Sequence, residues 1–76
     1  SYNAFLTVSD AHILLSAMNF TKEGTLLIRL WNSGQESCTA EVQIPSMDIC
    51  QKITLPGSRF QTYLVREGTL ITTEPM

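Results

Sequence analysis

Along this chain, apolar and polar residues alternate with a period of two, and turn residues interrupt the alternation at short intervals. A period of two puts successive side chains on opposite faces of an extended strand, so the pattern predicts β structure. No window combines apolar residues at helical spacing with capping residues, so no helix is predicted. The predicted strands are Phe5–Val8, Ile13–Phe20, Thr25–Trp31, Cys38–Ile44, Asp48–Leu55, Phe60–Val65 and one beginning at Thr69–Thr73. Turns fall at Thr21-Lys22-Glu23-Gly24, Asn32-Ser33-Gly34-Gln35, Leu55-Pro56-Gly57-Ser58 and Arg66-Glu67-Gly68, where Gly, Asn and Pro suit tight backbone conformations. Turn signals at spacings of about 8–12 residues mark an all-β sandwich or barrel. We expect residues 1–76 to form one small antiparallel β-sandwich domain of about seven short strands, immunoglobulin-like in style. Leu70–Met76 points into a further strand where the sequence stops, so we also expect a last strand to be missing and the chain to be a piece of a longer protein.

The strands differ in how they divide apolar and polar groups. In Cys38–Ile44, Cys38, Ala40, Val42 and Ile44 share one face and Thr39, Glu41 and Gln43 the other, the pattern of a strand with one wet face. Strict alternation in Ile13–Phe20 puts Leu14, Ser16, Met18 and Phe20 on one face and Ile13, Leu15 and Ala17 on the other. In the next strand Leu26, Ile28 and Leu30 oppose Leu27, Arg29 and Trp31. Both of these strands are apolar on two faces, which predicts cover on both sides or contact with a neighbouring domain. In Asp48–Leu55, Gln51 breaks an otherwise apolar face between Ile49 and Ile53.

Size and charge narrow the function classes. A domain of 76 residues is marginal when it stands alone, because small domains bury a low fraction of their surface. Five Lys and Arg against seven Asp and Glu give a net charge of −2, with the cations scattered singly, which argues against a nucleic-acid footprint. No apolar run of about 18 residues is present to span a membrane as a helix.

Candidate chemistry is sparse. The acids Asp10, Glu23, Glu36, Glu41, Asp48, Glu67 and Glu74 fall in turns or on wet faces, as solvated surface charge does. His12 is the single histidine; it follows Asp10 by two residues in a polar loop and lacks a nucleophile motif nearby. Cys38 and Cys50 read as two reduced, largely buried thiols, with a disulfide as the alternative; with one histidine they form no recognisable zinc ligand set. Asn19-Phe20-Thr21 matches a glycosylation sequon at a strand end. Trp31 with Tyr2 and Tyr63 could form a sugar-stacking platform, although a lone Trp in a small sandwich more often packs in a core or an interface.

Two runs carry a family resemblance. Ala4-Phe5-Leu6-Thr7-Val8 followed by Ile13-Leu14-Leu15-Ser16-Ala17 resembles the start of the C-terminal β-sandwich domain of the glycoside hydrolase family 38 α-mannosidases. Leu26-Leu27-Ile28-Arg29-Leu30-Trp31-Asn32 after the Gly24 turn is similar to the next hairpin of that domain, with Trp31 where Tyr is commoner and Asn19 where Lys is frequent. Gly68–Met76 resembles its penultimate piece, and Cys38–Thr54 is similar in pattern only. The resemblance implies a non-catalytic accessory module of a retaining α-mannosidase, packed against catalytic and central domains absent from this chain. The family's catalytic Asp, acid/base and zinc ligands lie in those domains; no residue here matches them, so no catalytic, cofactor or metal residue is carried over. Leu27, Arg29 and Trp31 are then the candidate domain interface, and a cytoplasmic location is expected. The competing expectations are an independent carbohydrate-binding module using Trp31 and Tyr63, and a free-standing immunoglobulin-like adhesion or scaffold domain.

Overall fold

A computed structural model of the chain describes residues 5–73. Seven strands run β1 (Thr7–Val8), β2 (Ile13–Phe20), β3 (Leu26–Asn32), β4 (Cys38–Ile44), β5 (Ile49–Leu55), β6 (Phe60–Arg66) and β7 (Thr69–Thr72). They form two antiparallel sheets, one of three strands in the order β1-β4-β5 and one of four in the order β2-β3-β6-β7. The expected small β-sandwich is the observed architecture. The described residues include no helix long and apolar enough to cross a membrane.

The core lies between the sheets. Leu26, Ile28 and Leu30 of β3 meet Ala40, Val42 and Ile44 of β4, with Ile49, Ile53 and Leu55 of β5 and Tyr63 and Leu70 of the second hairpin completing the layer. Burial of these residues supplies the main drive for folding, in proportion to the apolar area removed from water. Local chemistry sets the turns. The β6–β7 connection is a two-residue turn in which Glu67 and Gly68 both take positive φ, at 52° and 75°, the geometry whose twist matches a hairpin. Pro45 ends β4 and opens a short 3-10 turn, Pro45–Met47, after which Asp48 takes φ 58° and β5 starts at Ile49, one residue later than expected. At the opposite end of the sandwich Gly57 lies against the β3–β4 loop, where a Cβ would overlap the Gln35 carbonyl.

Three expectations are corrected. The first strand is short: Phe5 and Leu6 precede β1, and Leu6 instead packs into the core. The face assignment of β2 also changes. Leu15 pairs with Leu30 but Ala17 pairs with Arg29, so a β-bulge at Ser16 inserts one residue. One extra residue reverses the alternation, so Met18 and Phe20 take the same side of β2 as Ile13 and Leu15, but at this end of the edge strand they remain 39% and 64% exposed. Finally, both cysteines are free, but only Cys38 packs against the core; Cys50 is exposed on the outer face of β5. The expected strand beyond β7 and the position of Tyr2 lie outside the described residues.

Polar side chains close the ends and one side. Asn32 ends β3 fully buried, and its Nδ2 donates to the carbonyls of Glu36 at 2.8 Å and Leu55 at 2.9 Å while its Oδ1 accepts from Gly34 N–H. Gln51, the break in the β5 pattern, reaches across the sandwich to β7. Its Oε1 accepts from Leu70 N–H at 2.9 Å and its Nε2 donates to the Leu70 carbonyl at 3.1 Å. The carboxamide thereby stands in for a neighbouring strand and satisfies the backbone of Leu70 on the free edge of β7.

Candidate functional site

The outward face of the four-stranded sheet is the most distinctive surface of the molecule. Strand register sorts its side chains into three rows. Leu14, Trp31 and Phe60 make the first; Ala17, Arg29 and Thr62 the second; Asn19, Leu27, Leu64 and Ile71 the third. The rows hold because β3 is central: every outward residue of β3 has a partner on β2 and another on β6. Leu14, Phe60 and Ile71 are 45%, 54% and 42% exposed and lie on this one face.

Trp31 and Phe60 stack with ring centroids 5.5 Å apart and planes within 10°. Neighbouring strands stand about 4.8 Å apart, so rings stacked in this way present their edges outward and cover one another's faces. The Arg29 guanidinium lies 6.0 Å from the centre of the Phe60 ring, within the range of a cation–π contact. Among the described residues no carboxylate forms an ion pair with Arg29; the one pair found is Asp10 with His12.

The structure therefore places Leu27, Arg29 and Trp31 on one outward face. Tyr63 is not with them. It lies on the inner side of β6 opposite Ile28, 3% exposed, and burial raises its phenol pKa. Trp31 and Tyr63 point to opposite sides of the same sheet and cannot share a ligand. A sugar platform also requires an open ring face, whereas Phe60 covers one face of the indole and Leu14 holds the register position on its other side. Sequence reading missed Phe60, Leu14, Leu64 and Ile71 as members of this surface. The signal was present in β6, where Phe60, Thr62 and Leu64 alternate with Gln61, Tyr63 and Val65 and leave apolar residues on both sides.

A second cluster lies at the sandwich end near the β1–β2 turn, in an open groove of about 560 Å³. Asp10 Oδ1 accepts from the His12 backbone N–H at 2.8 Å and stands 3.0 Å from His12 Nδ1. The backbone N–H, the Cys38 thiol and the imidazole, in that order, bring the Asp10 carboxyl down to about pKa 2. The same contact raises the Cys38 pKa, because a thiolate beside a carboxylate is disfavoured. Nucleophilic catalysis needs an imidazole between the thiol and the acid. Here the acid stands between thiol and imidazole, and Cys38 is held as a neutral thiol. On the outer face of the three-stranded sheet, Glu41 likewise raises the pKa of Cys50. Among the described residues no three His, Cys, Asp or Glu side chains are grouped to hold a metal ion.

No protein-family model matches the chain, and neither a curated protein nor a solved structure compared with it does.

Proposed function

We propose that this chain is a non-catalytic β-sandwich module of a family 38 α-mannosidase, which packs through the outer face of its four-stranded sheet on an adjoining domain of the same polypeptide. The observation that carries the packing role is the outward apolar face itself, with the stacked Trp31–Phe60 pair and the exposed Leu14 and Ile71 on the same face. The resemblance of the Phe5–Asn32 segment to the family's C-terminal sandwich supports the choice of parent. In this role the module stabilises a catalytic cleft built elsewhere, the parent's zinc belongs to that catalytic part, and the location is cytoplasmic.

The coding sequence on either side of this segment provides the first test. The expected result is an upstream α/β barrel carrying Asp and His zinc ligands; a start and a stop codon immediately flanking the segment would overturn the reading. The second test follows Trp31 fluorescence while mannosides are titrated into the isolated chain. No saturable change is expected, and saturation would favour an independent carbohydrate-binding module instead.

A further inference from the structure

We infer that the domain covering this outer face brings a carboxylate to Arg29, so that an apolar surface carrying one acidic group is what the sandwich recognises. The inference rests on the packing role proposed above and specifies the chemistry of the partner surface.

Charge is the first argument. The charged residues on the outward strand positions are Arg29 and, at the hairpin end, Arg66; no Asp or Glu stands among them. Arg29 occupies the middle row between Trp31 and Leu27, with Ala17 and Thr62 as its lateral neighbours. Any surface that covers Trp31, Phe60 and Leu27 must also cover Arg29. Desolvating an unpaired guanidinium is strongly unfavourable, and stacking on Phe60 replaces only part of its hydration. A carboxylate offering two oxygens to the guanidinium fork removes that obstacle and fixes orientation at the same time. A second copy of this chain does not meet the requirement, because its own outer face would set Arg29 against a field of the same sign.

Area is the second argument. Three rows about 7 Å apart on four strands about 4.8 Å apart span on the order of 300 Å². A stable complex of separate proteins needs about 800 Å² from each partner. Domains tethered in one chain dock across as little as about 600 Å² in total, which two faces of this size supply. The surface is therefore suited to a neighbour held close by covalent connection.

The test compares Arg29→Met, Arg29→Lys and Trp31→Ala by thermal unfolding in two contexts, this 76-residue chain and the intact longer protein. Methionine keeps the apolar stem and removes the charge, so it separates two cases by sign. With a carboxylate opposite, Arg29→Met leaves the isolated chain nearly unchanged and lowers the Tm of the intact protein by about 2–4 °C, with Arg29→Lys intermediate. A raised or unchanged Tm in the intact protein overturns the inference and leaves the packing role standing, provided Trp31→Ala still costs more there than in the isolated chain. Equal Trp31→Ala effects in the two contexts overturn the packing role and this inference with it.

Discussion

The two outer faces of this sandwich cover the same core and are built differently. On the three-stranded sheet the outward positions of β4 and β5 are Thr39, Glu41 and Gln43 opposite Thr54, Lys52 and Cys50. They pair with one another: the Thr39 and Thr54 hydroxyls are 2.8 Å apart, and Gln43 Nε2 donates to Glu41 at 3.1 Å. That face is complete in water. On the four-stranded sheet, the outward positions are mostly apolar, with Asn19 and Thr62 among them, around Arg29, which forms no ion pair with a carboxylate among the described residues. The inner positions of β3, β4 and β5 are buried on both sheets, so the core between them does not by itself account for the contrast. The packing role proposed above would account for it.

Changing the layer shared by the two faces should have the largest effect. Leu30→Ala, at a fully buried site, is expected to cost about 2–5 kcal/mol and to lower the urea midpoint of the whole domain. Removing the Asn32 side chain strands two carbonyls and one N–H, and Asn32→Ala is expected to cost about 1–3 kcal/mol with faster amide exchange at Gly34. On the apolar face, Trp31→Ala loses its stack with Phe60, an expected cost of about 0.5–1.5 kcal/mol in the isolated chain. On the wet face, Lys52→Ala should stay within about 0.5 kcal/mol of the parent, and a larger loss there would erase the distinction between the faces.

A last prediction concerns the Asp10 cluster, which belongs to neither face and whose effect is read at acid pH. Its folded pKa of about 2 lies below the ordinary 3.8, so the contribution of the ionised carboxylate is complete above the ordinary value. It is lost as the pH falls through 2. Asp10→Asn should flatten this part of the acid limb in urea midpoints measured from pH 5 down to 2. An unchanged slope would show that the carboxylate is no better stabilised folded than unfolded.

Much of this contrast can be read from the amino-acid order, because alternation reports directly on faces. The bounds of β2 and β4 agree with expectation residue for residue, and Leu27, Arg29 and Trp31 do share a side. What was not legible depends on the third dimension. A bulge leaves no local mark: Ser16 is an ordinary strand residue, and only pairing with Leu30 and Arg29 reveals the extra position. The row Leu14–Trp31–Phe60 joins residues far apart in sequence, so its stack could not be found from any one strand. Gln51 looked like a fault in β5 because its partner is the backbone of β7, nineteen positions later.

That glutamine has a consequence for the ageing of the protein. The hold on Leu70 needs one donor and one acceptor on the same side-chain group. Slow hydrolysis of the amide replaces the donating nitrogen by oxygen, without altering shape, and sets a negative charge against the Leu70 carbonyl. The Leu70 N–H keeps an acceptor, but its carbonyl loses its donor and that edge of β7 opens to another strand. A preparation stored for long enough would acquire a sticky edge through the exchange of a single atom, and Gln51→Glu reproduces that aged form at once.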